Sequence, residues 1–431
     1  MKTFDEFARE LGLFLRSRAA VGVAAAAFAL SSFAVWAGLG EVAAQRAEIA
    51  ALLKADAADR EEALAGQSDY GGAAYYSFHL TYDPPSDLAF AALGARDVFP
   101  WKHRIRMLAL EGQIYETDGA NPELAGIGRF DYAFVVAMIA PLLAILLLYD
   151  LRAGERAAGR HELLVATGGD RVWLVRTAVR CFVLLSAIVV PFVIGAVIAA
   201  TSASSALAVV AMTAAHILFW AAIAFMLARA SLSGPTTATT LAGLWLAVSF
   251  VIPSLSETAI AQAIPSPAGG EIVLQQREAV NDAWDLPKDA TMDAFVARRP
   301  EFAATAAIDK PFEWKWYYAF QQVGDQSVED LSRDYRAALR KRYDAAGVAA
   351  LASPPALVMR TFTRLAETDA LAALAYEARV RTFHRQLREF YYPLLFNDVE
   401  YAPAAFDDMP AFGDENVAPE KIASKTGDAE Q

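Results

Sequence analysis

The 431-residue sequence has a single cysteine, Cys181, which excludes an intrachain disulfide and a cysteine-based zinc site. Histidine is sparse as well. His79, His103, His161, His216 and His384 lie far apart, none of them three or four residues from another, so no helix offers a histidine pair to a metal. Charged residues make up only 20%, and they lean acidic, with 38 Lys+Arg against 50 Asp+Glu and a net charge of −12. That balance argues against bulk nucleic-acid binding, which needs a basic face to replace phosphate counterions. Enzyme motifs are missing too. The run Gly154 to His161 has the glycine spacing of a phosphate loop but lacks its lysine and its Ser/Thr. His161-Glu162-Leu163-Leu164-Val165 opens like a zinc-protease helix but has valine where the second histidine would stand. Gly66-Gln67-Ser68-Asp69-Tyr70 misses the last glycine of a nucleophile elbow. No catalytic residue, cofactor or metal is expected.

Apolar residues, by contrast, reach 56%, above the roughly 45–50% of soluble domains, and they are concentrated in blocks. A charge at the centre of a membrane-spanning helix costs about 2.5–3.5 kcal/mol on insertion scales. Stretches of about 20 residues that are free of charge except at their ends therefore mark spans. Five qualify: 19–39, 131–150, 181–200, 206–228 and 236–254. The third and fourth are separated by Thr201-Ser202-Ala203-Ser204-Ser205, a polar run suited to a tight turn. The fifth opens at Gly234-Pro235 and closes at Pro253. The first is longer than a signal-peptide core and lies behind a charged start, although Ala-x-Ala patterns near Ala43-Ala44 leave cleavage open. The fold class expected is an all-α polytopic membrane protein with five transmembrane helices and a mostly helical extracytoplasmic domain built from two insertions.

Residues 1–18 read as an amphipathic helix. Phe4, Phe7, Leu11, Phe14 and Leu15 recur at helical spacing, and Lys2, Arg9, Arg16 and Arg18 suit lipid headgroups. The plainer reading is a helical lead-in to the first span. Orientation follows from the short loop 151–180, which holds Arg152, Arg156, Arg160, Arg171, Arg176 and Arg180, whereas the long segments 40–129 and 255–412 are acidic. Basic residues gather on the cytosolic side, so the N-terminus and this loop are expected inside, and the C-terminus outside.

The first outer segment begins with an alanine-rich charged stretch, Glu41 to Ala65, that extends the first span as a helix and then turns at Asp83-Pro84-Pro85-Ser86 and Phe99-Pro100-Trp101. The second alternates prolines with helical patterns, among them Val328 to Tyr343 and Ala370 to Tyr391. The polar tail 413–431 has the composition of a disordered segment. Trp314, Trp316, Tyr317, Tyr318 and Phe320 read first as packing, with a ligand cleft or the membrane surface as alternatives. His216, inside the fourth span, is either a transport group or a neutral imidazole bonded to a neighbouring helix.

The loop 151–180 is the most informative segment. A short helix from about Arg160 to Ala166 is bracketed by glycines, and its Leu163 and Leu164 need burial. Either the protein's own bundle or a socket in a cytosolic partner supplies it.

At this loop the sequence resembles the permease subunits of ABC-2-type ABC transporters. The Gly-Glu-Arg-x-x-Gly pattern at Gly154, Glu155, Arg156 and Gly159, the Leu163-Leu164 pair and the turn Thr167-Gly168-Gly169 are similar to their signature. The run Gly128-Arg129-Phe130-Asp131-Tyr132 resembles a branch with a large outer insertion, as do Pro84-Pro85-Ser86-Asp87-Leu88-Ala89-Phe90, Pro100-Trp101, Ser353-Pro354-Pro355-Ala356 and Phe390-Tyr391-Tyr392-Pro393. The resemblance spans roughly 5–412. It implies a transport subunit, an exporter in direction, that is not itself an enzyme. ATP hydrolysis would reside in a cytosolic ABC ATP-binding subunit that pushes on Gly154, Glu155, Arg156, Gly159, Arg160, Leu163, Leu164 and Gly168. It also implies pairing with a second permease copy or a related permease, contact with membrane lipid, and the bacterial inner membrane. Relatives usually close with a sixth span, whereas the best candidate here, Ala345 to Ala378, holds Arg360, Arg364, Glu367, Asp369 and Glu377. The rival reading is a membrane-anchored periplasmic scaffold or sensor.

Overall fold

The computed structural model describes residues 2–115, 130–230 and 232–413. Gly128-Arg129 and, beyond Gly413, the tail 413–431 lie outside the described residues. The protein is all-α and polytopic, with five helices long and apolar enough to cross a membrane: Arg18–Ala65, Tyr132–Ala157, Arg171–Ile198, Ala203–Ala228 and Gly234–Ala263. Loop 151–180 and the N-terminal helix Lys2–Arg16 sit at one end of the bundle, here the loop face. The two long polar segments sit at the other, the domain face.

Each span covers one apolar stretch, and several run past the bounds their charges suggest. Ser17 separates the first span from the N-terminal helix, its hydroxyl accepting the Ala20 amide at 3.3 Å. The helix then continues unbroken through the charged residues to Ala65. The third span starts at Arg171 rather than at residue 181, because Arg176 and Arg180 find carboxylates on the loop face, Glu10, Glu155 and Asp150. The fourth starts at Ala203, capped by Ser202.

The fifth does not end at Pro253. A π-helical turn, Ala247–Val251, precedes the proline, and the helix resumes as Ile252–Ala263. The second span repeats the device: the π turn Val135–Ile139 comes just before Pro141. A proline removes one helical N–H and crowds the carbonyl four residues earlier, and a π turn makes room for it. The carbonyls so released are satisfied from outside the helix. Ala137 O accepts the His216 Nε2–H at 3.3 Å, which settles His216 as a group bonded to a neighbouring span. Val248 O, five residues before Pro253, accepts the Ser353 hydroxyl at 2.6 Å.

On the domain face the two polar segments interlock. Strands His79–Tyr82 and Lys102–Ile105 pair antiparallel, with His79 opposite Ile105 and Tyr82 opposite Lys102. Sequence reading expected only turns there. Each strand has four residues, too few for an alternation to register. The hairpin packs on the first span and on the helix Leu110–Tyr115, and Ala370–Phe396 meets it through Tyr376 and Phe383; helices Gly269–Asp282, Lys288–Val296, Trp314–Ser327 and Glu329–Ala349 complete this face. Tyr318 donates to the Gly71 carbonyl at 2.8 Å, and the Thr81 and Tyr376 hydroxyls meet at 2.9 Å. Trp316, Tyr318 and Phe320 are buried in a core with Phe295, Phe302, Tyr392 and Phe396, so this aromatic group is packing. The stretch Ala345 to Ala378 folds as one helix end, the short helix Pro354–Leu365 and the start of another helix.

Two pieces of the domain face enter the core of the spans. Residues Leu88 to Leu93 are buried there with Val358 and Phe362 of the short helix. Phe90 stacks on Phe192 at 6.0 Å, Phe192 on Tyr132 at 4.9 Å, and Tyr132 on Phe362 at 6.1 Å. Gly38 of the first span makes this approach possible, since a Cβ there would lie 1.9 Å from the Phe90 carbonyl oxygen. A Cβ added at Gly40, two residues on, would have nothing within 4 Å. Gly38→Ala should therefore cost about 1–3 kcal/mol through overpacking, whereas Gly40→Ala should be neutral or gain at most about 1 kcal/mol. Thermal unfolding of both variants in detergent checks this; equal midpoints would mean that Phe90 is not seated against the first span.

Candidate functional site

The predicted site residues all fall on the loop face, on two short helices, Ala153–Ala157 and His161–Gly168, and, for Gly159 and Arg160, on the turn between them. The second is close to the helix expected from Arg160 to Ala166. Glycine is required at its borders. Gly159 has φ +67° and Gly169 φ +59°, in the left-handed region that side chains disfavour. Gly168 lies against Val172, whose Cγ2 would be 2.2 Å from an added Cβ. Gly154 is under no such demand, because a Cβ there would meet Asp150 only at 3.5 Å.

Five carboxylates, Glu6, Glu10, Asp150, Glu155 and Asp170, and a tryptophan hold the loop's arginines. Glu155 accepts from Arg160 Nε at 2.8 Å and from Arg176 Nη1 at 3.0 Å. Arg176 also donates to Glu10 of the N-terminal helix at 2.9 Å. The chain Arg160–Glu155–Arg176–Glu10 thus ties loop, third span and N-terminal helix together. Arg171 pairs with Glu6 at 3.0 Å, and Arg152 with Asp170 at 3.0 Å. Arg156 donates to the Leu232 carbonyl at 2.8 Å and the Ala230 carbonyl at 3.3 Å, which anchors the loop to the turn between the fourth and fifth spans. Trp173 is the hub beneath: fully buried, it stacks on His161 at 5.4 Å, and the guanidinium groups of Arg152 and Arg176 each lie 5.3 Å from its ring centre.

The pair Leu163-Leu164 divides. Leu164 packs against the protein's own span core. Leu163 is 66% exposed and Val165 39%. Of the two sources of burial open to this pair, Leu164 finds the protein's own bundle. The helix turns about 100° per residue, so adjacent side chains point different ways, and only Leu163 remains on the open face.

The N-terminal helix is more than a lead-in. Phe7 meets Phe182 edge-on at 5.8 Å, Phe14 is buried, and Leu11 packs on the span core. Phe4, Leu13 and Leu15 stay exposed. Sequence reading assigned this helix its basic residues and missed Glu6 and Glu10. The i, i+4 spacing of these two acids, which puts them on one face with Phe14, was the signal available. Trp173 was missed as well. Among the described residues, no group of three or more His, Cys, Asp or Glu is placed to hold a metal ion. Cys181 is buried and free.

Glu10 is only 5% exposed, and removing Arg176 leaves its buried charge only the 3.6 Å contact with the exposed Arg9, a change that approaches the roughly 3–5 kcal/mol cost of breaking a buried ion pair. Arg176→Met should release the N-terminal helix, read as faster amide exchange across residues 2–16, and adding Glu10→Gln should restore part of the protection. Unchanged exchange in Arg176→Met would show that Phe7 and Phe14 hold the helix alone.

Comparison with known proteins reaches the other face of the molecule. Residues 270–414 match the family described as Domain of unknown function (DUF3526), which covers most of the second polar segment. No curated protein and no solved structure matches the chain.

Proposed function

We propose that this chain is the membrane-spanning subunit of an ATP-driven ABC-2-type transporter, working as an exporter in a bacterial inner membrane, and that the helix His161–Gly168 is the element a cytosolic ATP-binding subunit grips. The observation that carries this reading is an apolar side chain, Leu163, held out in the open on a short helix whose base is locked. Glu155 and Arg156 do the locking through Arg160, Arg176 and the Leu232 carbonyl. A solvated connector needs neither the exposed leucine nor the clamp. A force applied at Leu163 passes through Glu155 and Arg176 into the third span, and through Arg156 into the turn before the fifth. A second copy or a related permease completes the path, and lipid contacts the exposed apolar residues of the spans. The six arginines of the loop support a cytosolic position for this face. ATP hydrolysis belongs to the partner.

Purified from its native membrane in mild detergent, the chain should carry a stoichiometric subunit with ATPase activity. Leu163→Asp should weaken that association by about 30-fold or more, the effect of losing an interface anchor worth about 2 kcal/mol, with no change in the chain's own unfolding midpoint. Leu164→Asp should lower the midpoint instead. Retained ATPase in the Leu163→Asp preparation would sink the docking assignment. A reporter active only in the cytosol should be silent when fused after Gln431, and active when inserted at Gly159. The reverse pattern would place the loop on the wrong side of the membrane for any ATP-driven partner.

A further inference from the structure

On the domain face a cleft of about 410 Å³ opens where the first polar segment meets the second. Its volume is within the range of small-molecule sites, about 300–1,000 Å³. Six guanidinium groups line it, from Arg298, Arg299, Arg336, Arg381, Arg385 and Arg388, against three carboxylates, Glu111, Asp325 and Glu329. The chain as a whole carries a net charge of −12, so a cationic concavity runs against its composition.

The pairing inside the cleft leaves a surplus. Glu111 is gripped at both oxygens by Arg381, at 2.7 and 2.9 Å, and also accepts from the Ser332 hydroxyl at 2.7 Å. Burial alone would raise its pKa, yet these hydrogen bonds and the charge of Arg381 hold it below the usual carboxylate value. Asp325 is equally committed. One oxygen accepts from the Leu110 amide at 2.7 Å, the Glu111 amide at 3.2 Å and the Gln276 side chain at 2.6 Å, and the other pairs with Arg388. Glu329 faces Arg298 at 3.4 Å, with both side chains more than half exposed, a pairing of little strength. Arg299 turns to Glu301 at 2.5 Å.

Two arginines are left over. Arg336 bonds the Ser332 hydroxyl and stands 3.8 Å from a Glu111 already filled by Arg381. Arg385 is exposed and has no ion pair or hydrogen bond among the described residues. Next to it His384, only 2% exposed, also lines the cleft, and its Nε2 has no hydrogen-bond partner. A buried polar atom without a partner costs about 1–3 kcal/mol.

We propose that this cleft binds a ligand carrying two or more negatively charged carboxylate or phosphate oxygens, held by Arg336 and Arg385 with His384 Nε2 meeting a polar group at its base. The planar guanidinium fork recognises both oxyanion types in bidentate fashion. The committed pairs Arg381–Glu111 and Arg388–Asp325 hold the walls in place, and the ligand displaces neither of them. The site does not depend on the transport reading, since nothing in it touches the loop face.

The test uses the full chain in zwitterionic lipid nanodiscs, titrated calorimetrically with citrate, with pyrophosphate and with trehalose as the uncharged control. Citrate or pyrophosphate should bind saturably at or below about 1 mM, more weakly as salt rises, and trehalose should not bind. Arg385→Gln and Arg336→Gln should each weaken binding by about tenfold or more, the scale of losing one charge-assisted contact. Arg333→Gln, on the same helix as Arg336 but paired with Asp330, should leave affinity unchanged. Arg385 is exposed and unpaired, so its variant should unfold at the wild-type midpoint, which separates lost binding from lost folding. Discs containing phosphatidylglycerol identify the source: loss of pyrophosphate binding there assigns the site to a lipid headgroup, and unchanged binding assigns it to a soluble anion. No saturable binding up to about 10 mM in any arm, or binding indifferent to both arginine substitutions, overturns the proposal.

Discussion

Pro141 and Pro253 each leave a carbonyl without its helical donor inside an apolar bundle, where an unsatisfied backbone group costs several kcal/mol. Much of the bundle's arrangement answers that demand. Span two is held to span four because Ala137 O accepts a hydrogen bond from the His216 Nε2–H. The short helix Pro354–Leu365 begins where it does because Ser353 caps it and also reaches Val248 O. That helix in turn brings Phe362 onto Tyr132, and Tyr132 onto Phe192 and Phe90. Domain face and spans are therefore joined by one run of contacts that starts at two backbone defects.

At the opposite end the organising force is electrostatic. Arginine at a membrane boundary keeps its charge by finding carboxylates or aromatic faces, and here both converge around Trp173. The N-terminal helix supplies Glu6 and Glu10, so a segment whose basic residues suit lipid headgroups also acts as counterion to the third span. Because Glu155 bridges Arg160 and Arg176, the loop cannot shift without disturbing the N-terminal helix.

How far the sequence discloses this depends on the range of the interaction. The five spans were legible because a charge in lipid is costly wherever it falls, and a charge-free run shows without any partner. Their ends were not, because Arg176 and the continuation past Pro253 depend on partners and π turns that no local pattern encodes. The glycine-bracketed loop helix was legible from Gly159, Gly168 and Gly169, but the different fates of Leu163 and Leu164 are set by tertiary packing. The hairpin was too short to register. The arginine-lined cleft was invisible, since Glu111 and Arg381 meet across a separation of 270 residues and come from different polar segments.

The first span has 48 residues without a break, a rod about 72 Å long at 1.5 Å per residue, more than twice the thickness of a bilayer core. One end starts at the Ser17 cap beside the N-terminal helix. The other carries the hairpin through Arg104–Asp59 and the Leu88–Leu93 insertion through Arg46–Asp87. Such a rod is a lever. Pivoting it by about 5° at Ser17 sweeps its far tip through roughly 6 Å, so a displacement smaller than one side chain on one side of a membrane becomes a full helical turn's travel on the other.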